Sequence, residues 1–430
     1  MNRSIVWFTT DLRVHDNETL SKAIEENDEI LPVYILDPSQ FEITKAGTRK
    51  IGKYRAQFIL ESLKDLDASL RARGSGLMLL YGKSDVLLRD LLLKYDAQRI
   101  YAKHEIAWDE ILTQKVIKQG LPNCEFLTVE SSLLYHKDDL RLANDELPNV
   151  FTEYRKQVEK HTRVRGLFTC PDKINSPNIE DVVWPELEDL GLRAFTKDTR
   201  TAYDFKGGEI EAVKRLNDYL FVTHSISKYK ETRNGLIGEN YSSKFSAALA
   251  LGCLSPKKIY HEIKRYEEQY GANDSTYWLV FELMWRDYFR LMMEKHPKNF
   301  FLQNGIQNNV KWNLNHSVLD VENWKNGKTQ NDFVNANMLE LKQTGFMSNR
   351  GRQNVASYLC HDLIIDWRLG AAYFEEMLID YDVSSNWCNW AYIAGVGNDP
   401  RNGRAFNLDK QAKTYDPDSK YRALWLGKEI

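Results

Sequence analysis

The stretch SNRGRQNVASYLCHDLIIDWRLGAAYFEEMLIDYDVSSNWCNWAYIAGVGNDP, residues 348–400, interleaves charged and amide side chains with large aromatics. Val355, Tyr358, Leu359 and Leu363, then Trp367, Ala371, Phe374 and Leu378, recur at the intervals of an apolar helix face. Among them stand Asn349, Arg350, Arg352, Asp380, Asp382 and Asn386, beside Trp367, Trp387 and Trp390. In a helical core an isolated charge is costly unless it is paired, solvated or neutralised. A planar ligand with polar edges satisfies both sets, with aromatics against its face and charges at its rim. Upstream, Trp278, Phe281, Trp285, Tyr288, Phe289 and Met292 follow the same spacing. These patterns predict an all-helical domain over residues 206–430, built around a ligand.

The amino-terminal part reads differently. Short apolar runs at Ser4–Phe8, Ile30–Ile35, Leu77–Tyr81, Arg99–Lys103 and Glu125–Val129 are separated by helical patterns. One such pattern carries Ile59, Leu63, Leu66 and Leu70; another, with Ser84 as its expected cap, carries Leu87, Leu88, Leu91 and Leu92. Five strands alternating with helices predict a doubly wound parallel sheet over residues 1–130. Ligands of such sheets bind at the carboxyl ends of the strands, here the loops near Thr9–Arg13, Leu36–Phe41 and His104–Trp108. Gly74 and Gly76 precede a strand and lack a third glycine, so they read as a turn and not as a dinucleotide fingerprint. Residues 131–205, with Pro148, Pro171, Pro177 and Pro185, predict a long surface connector.

At 430 residues the chain is larger than one core ordinarily supports. With 43% hydrophobic and 28% charged residues it reads as soluble. No apolar run approaches the roughly 20 residues that cross a bilayer, and the first residues lack the blocks of a signal peptide, so a cytoplasmic location is expected. Cys124, Cys170, Cys253, Cys360 and Cys388 are scattered without CxxC spacing, and the nine histidines form no HExxH, which argues against a disulfide framework or a metal centre. A net charge of −3 requires that any nucleic-acid footprint be a local patch.

Three clusters carry the chemistry. In YSSKFS, Ser242, Ser243, Lys244, Phe245 and Ser246 precede a helical run; hydroxyls and amides at a helix start cradle an anion such as a pyrophosphate, while capping accounts for one serine alone. In FELMWRDYF, Glu282 and Arg286 share a helix face and can simply pair, with Trp285 beside them. Arg352, Asp380 and Asp382 can form a buried salt bridge between helices, or line a site. Arg401, Arg404, Lys410 and Lys413 form a local positive cluster, or a solvated charged loop.

The quoted stretch resembles the flavin and DNA region of the photolyase and cryptochrome family, and the continuation AFNLDKQAKTYDPDSKYRALWL is similar to its DASH branch. The likeness runs from VWFTTDLRVHDN (Val6 to Asn17) to the end of the chain. It implies bound FAD, contacted by Tyr229, by Ser242 to Ser246 at the phosphates, and by Arg286, Asn349, Arg352, Asp380, Asp382 and Asn386. Asn386 matches the residue facing the flavin's reactive nitrogen, and an amide there hydrogen-bonds without titrating near neutral pH. Trp312, Trp367 and Trp390 match the tryptophans that pass electrons to the flavin, although core packing explains any one of them. Arg233, Glu282, Trp285, Asn349, Arg350, Gln353, Tyr392 and Gln411 match DNA contacts, Glu282 and Trp285 meeting the damaged bases. Glu105 resembles a folate-contacting acid, implying a methenyltetrahydrofolate antenna; a solvated loop glutamate is the plain alternative.

Two positions depart from duplex-repairing relatives: Tyr392 replaces a second lesion-stacking Trp, and Gln353 replaces a Met. Both weaken apolar packing round an extruded dimer, which favours single strands, where extrusion costs least. Asn349 and Gln353 stand where (6-4) photolyases carry histidines, so (6-4) repair is not expected. The expectation is a monomeric, blue-light-driven photolyase for cyclobutane pyrimidine dimers in single-stranded DNA. The alternative is a blue-light photoreceptor that binds FAD and nucleic acid without repair; a non-photochemical adenine nucleotide binder rests on the sheet alone.

Overall fold

The computed structural model describes residues 2–141, 146–169, 171–307, 317–399, 401 and 403–427. Five parallel strands form the sheet: β1 (Arg3–Phe8), β2 (Glu29–Leu36), β3 (Met78–Tyr81), β4 (Arg99–Lys103) and β5 (Glu125–Val129), in the order β3-β2-β1-β4-β5. Four helices connect them: α1 (Glu18–Glu26), α2 (Lys53–Arg71), α3 (Ser84–Tyr95) and α4 (Trp108–Gly120). Both faces are covered, as the period of two along β1 requires. Ile5 and Trp7 pack with Leu88, Leu91 and Ile117 on one side, whereas Val6 and Phe8 belong to the large core that continues into the helices beyond. Strand order reverses between β1 and β4, which places a topological switch point beside the loops after Phe8 and Lys103. Ser84 does not cap α3: it is the first helical residue, and Lys83 occupies the cap position without a side-chain bond.

Among its described residues the connector contains one α-helix, α5 (Phe151–His161), and short 3-10 turns at Lys137–Asp139 and Glu188–Leu190; it is not confined to the surface, since Leu134, Tyr154 and Ile174 are buried in the core. Thereafter the elements are α6 (Glu209–Asn217), α7 (Tyr229–Thr232), α8 (Ser246–Ala250), α9 (Pro256–Tyr270), α10 (Asp274–Lys295), α11 (Val318–Lys325), α12 (Asp332–Thr344), α13 (Asn349–Ser357), α14 (Trp367–Met377), α15 (Val383–Ala394), α16 (Leu408–Tyr415) and α17 (Lys420–Leu426). The caps explain where the helices that matter begin. Asn273 and Thr276 form a reciprocal capping box for α10. The Ser348 hydroxyl accepts the Gly351 amide to start α13, and Asp382 accepts the Ser385 amide at 2.8 Å to start α15. Gly345 ends α12 in a left-handed conformation, φ 72°, and a Cβ there would lie 2.5 Å from the Tyr54 ring of α2.

Buried polar contacts lock the two halves together. Arg13 donates to the Gly252 carbonyl at 2.9 Å, Lys257 pairs with Asp16 at 2.9 Å, and Asp287 of α10 accepts the Leu134 and Tyr135 amides. No described helix is long and apolar enough to cross a membrane.

Candidate cofactor and nucleic-acid site

Helices α7, α10, α13 and α15 surround a cavity of about 320 Å³, at the lower end of the roughly 300–1,000 Å³ typical of ligand sites. Part of its wall is formed by Ser242 to Ser246. Helix α8 is only five residues long, so its dipole adds little; the donors here are hydroxyls and the Lys244 ammonium. Lys244 has φ 62°, and its Nζ, 3.1 Å from the Ser242 hydroxyl, rests on the Tyr241 ring. Burial pushes its pKa well down, opposed chiefly by the Glu340 carboxylate. The wall continues through Tyr229, Phe346 and Met347.

Also on the wall, Arg352 holds Asp380 through Nη2, at 3.0 and 2.8 Å, and its Nε donates to the Met347 carbonyl. The salt bridge and the cavity wall, alternatives in the sequence, are the same pair of residues. Asp382 also lines the cavity; burial would raise its pKa, but Arg286, Arg290, the Ser384 hydroxyl and the Ser385 amide outweigh it and hold it down to about 2. Asn386, which lines the cavity, gives one amide proton to the Ala371 carbonyl at 3.0 Å. Asn349 and Gln353 of α13 complete this rim.

Arg286 does not line the cavity and does not pair with Glu282. It donates to the Ser132 and Leu249 carbonyls from behind the wall, close enough to Asp382 to act on its charge. Glu282 instead forms an ion pair with Arg233, and both face the cavity. Burial raises the Glu282 pKa, against the pull of Arg233.

Trp285 stacks on Phe151, with ring centroids 3.8 Å apart and planes at 14°, and meets Tyr392 edge-on at 6.1 Å. The Tyr392 hydroxyl accepts from Arg404, whose guanidinium also lies 4.5 Å above its ring. Gln353 accepts from Arg350 at 2.8 Å, and Arg350 in turn covers Tyr415. Gln411, on α16, has a buried Oε1 without a hydrogen-bond partner among the described residues. The expected positive cluster is smaller than its composition: Arg401 and Arg404 both pair with Asp399, and only Lys410 and Lys413 carry no ion pair among the described residues.

Trp390 lines the cavity and lies 6.1 Å from Trp324 and 5.1 Å from Phe374. Its ring rests on Gly370, where a Cβ would approach it to 2.2 Å. Trp367 is fully buried, donates to the Gln303 carbonyl and meets Trp387 at 5.8 Å. No ring contact joins Trp367 to Trp390 among the described residues, and Trp312 lies outside those residues.

A second cavity, about 230 Å³, opens at the carboxyl ends of β1, β2 and β4, touching all three loops that the sheet topology singles out. Glu105 is on its wall, paired with Lys103 at 2.9 Å and accepting from Thr9 at 3.0 Å, and so is not a free loop acid. Tyr381 and Asp382 line both cavities.

The donor set fits a flavin dinucleotide: the Ser242, Ser243 and Ser246 hydroxyls with Lys244, a fixed Arg352–Asp380 pair, the Asp382 carboxylate and the Asn386 amide line one cavity. The comparisons with known proteins agree. Residues 4–175 match the DNA photolyase family model and residues 278–428 the FAD binding domain of DNA photolyase. Cryptochrome DASH of Gloeobacter violaceus is 42% identical over 98% of this chain and 85% of its own length. The chain belongs to the DASH branch of the photolyase/cryptochrome family. Members of the family bind FAD and DNA, and the cofactor of this chain is FAD. A Synechocystis cryptochrome crystal structure superposes with a TM-score of 0.95 at 42% identity, covering 99% of this chain and 89% of that one. An archaeal photolyase from Sulfolobus tokodaii, described with two FAD molecules as implying a novel light-harvesting cofactor, superposes with a TM-score of 0.79 at 28% identity, covering 99% of this chain and 90% of that one.

Sequence reasoning missed Phe151, Tyr381, Arg290 and Glu340. Tyr381 stands between two acids already singled out, a signal that was there to use. Phe151 lies in the weakly patterned connector and offers none.

Proposed function

We propose that this chain is a blue-light-driven photolyase that splits cyclobutane pyrimidine dimers, preferentially in single-stranded DNA. The observation that supports it most is that Arg233, Glu282 and Gln353 line the same cavity as the cofactor residues, with Trp285 one turn beyond Glu282 on α10 and in edge contact with Tyr392. When bound and photoexcited in its reduced form, FAD supplies the electron that opens the dimer ring and takes it back.

The chain's own residues bind, orient and exclude water. Ser242, Ser243, Ser246 and Lys244 hold the cofactor phosphates, and Arg352, Asp380 and Asp382 fix the ring. Asn386 offers an acceptor that stays neutral at working pH. Glu282, ion-paired with Arg233, hydrogen-bonds the flipped bases. Trp285, backed by Phe151, supplies a stacking face, while Arg233, Arg350 and Gln411 hold the strand. Trp312, Trp367 and Trp390 would return electrons to oxidised cofactor, with Trp390 adjoining it. In the second cavity Glu105 would orient an antenna such as methenyltetrahydrofolate. The chain would act as a monomer in the cytoplasm.

A photoreceptor reading has one observation in its favour. Tyr392 and Gln353 are already hydrogen-bonded to Arg404 and Arg350, so the lesion pocket is polar on two sides. Blue illumination of reduced protein with dimer-containing single strand separates the two: light-dependent loss of dimer supports repair, and none leaves the photoreceptor.

A further inference from the structure

Arg290 stands on α10 one turn after Arg286, 4% exposed, in the wall of the second cavity. Its Nη1 lies 3.8 Å from Asp382 Oδ2, while Nε and Nη2 have no hydrogen-bond partner among the described residues. A buried guanidinium with two unpaired donor groups is expensive, so packing alone does not account for it. Asp382 shows what the charge does. Its Oδ1 is occupied by the Ser384 hydroxyl at 2.7 Å and the Ser385 amide at 2.8 Å. Oδ2 is the oxygen that faces Arg290, and Asp382 lines both cavities.

We propose that Arg290 is a positioning residue for the cofactor: from the wall of the second cavity its guanidinium fixes the carboxylate of Asp382, a residue that also lines the first. The inference rests on the reading that Asp382 accepts a hydrogen bond from the cofactor ring. The groups around this pair are Arg286 and Asp287 on α10, Glu105 and Glu130 on the loops after β4 and β5, and Cys388 on α15. Arg286 acts on the Asp382 charge more strongly than Arg290 does, but its hydrogen bonds go to the Ser132 and Leu249 carbonyls, and Glu105 is already paired with Lys103. Arg290 is the cation whose remaining hydrogen-bonding capacity is unspent. Without it a carboxyl in this apolar wall regains its proton at a higher pH.

The test measures FAD affinity of the full chain by fluorescence titration between pH 5 and pH 8, for wild type, Arg290→Met, Arg290→Lys and Asp382→Asn. In wild type the dissociation constant is expected to stay within about twofold across this range. In Arg290→Met it should rise about tenfold from pH 8 to pH 5, one decade for each unit that the Asp382 pKa moves into the window. Arg290→Lys, which keeps the charge, should restore a flat profile. Arg290→Met in the Asp382→Asn background should add no pH dependence of its own. A merely structural role would lower affinity or stability equally at every pH, and superimposable Arg290→Met and wild-type profiles would overturn the proposal. Should Arg290→Met not fold, Arg290→Gln gives the same readout with a polar head retained. Asp382→Asn that binds FAD as wild type does at every pH would instead sink the contact reading on which the inference rests.

Discussion

The two cavities share the Tyr381–Asp382 wall but are built by opposite means. The second forms where parallel strands end, so its loops follow from topology alone, whatever side chains they carry. The flavin cavity has no such geometric necessity. It exists because α7, α10, α13 and α15 bring together polar groups that would be costly in an ordinary helical core, and because Arg352 and Asp380 neutralise each other there. A sheet supplies a site by its backbone; a helical bundle must supply one by its side chains. Single substitutions should therefore damage the helical site far more than the sheet site.

The largest expected effect is at Arg352. Arg352→Ala strands the buried Asp380 carboxylate and should cost about 3 kcal/mol, read as a lower urea midpoint together with loss of the yellow cofactor. Unchanged midpoint and flavin absorbance would break the contrast between the cavities. Next comes acid sensitivity. Asp382 sits at about 2 in the fold against 3.8 for an ordinary aspartate, so the stability it contributes is complete above roughly pH 5 and is lost as pH falls toward 2. That contribution is on the order of 2 kcal/mol, and Asp382→Asn should flatten the corresponding part of the stability-versus-pH curve.

A smaller effect is expected at the rim. Trp285→Ala removes the stacking face and should weaken binding of dimer-containing single strand by about 1–3 kcal/mol, measured by anisotropy, with FAD content unchanged. The smallest is Tyr392→Trp, which exchanges a phenol bound to Arg404 for a broader apolar ring. Duplex dimer binding should tighten by about 1 kcal/mol, narrowing the preference for single strands. On the sheet side, Glu105→Gln should leave FAD content untouched while lowering occupancy by an added folate, read as loss of its near-ultraviolet band.

Legibility in the sequence followed the same divide. The five strands were readable to within a residue or so, because runs such as Val6–Phe8 and Ile100–Ala102 are bounded by turns and the sheet imposes a simple period. Helix α10 was equally plain from its aromatic spacing. Partnerships were not. Glu282 and Arg286 sit one turn apart, which is ideal for pairing, yet tertiary structure gives Glu282 to Arg233 and Arg286 to two carbonyls. Nor did charge along the chain reveal that Asp399 absorbs Arg401 and Arg404. Spacing states which side chains share a face; it does not state what the opposite face brings, which is why Phe151 behind Trp285 and Arg290 behind Asp382 emerged only in three dimensions.

The most direct test of the account is the emission lifetime of reduced FAD in the protein, compared with undamaged and with dimer-containing single strand bound. If cavity and rim are one reaction site, the dimer should shorten the lifetime while the undamaged strand leaves it unchanged. Equal lifetimes with both strands, at saturating binding, would contradict it.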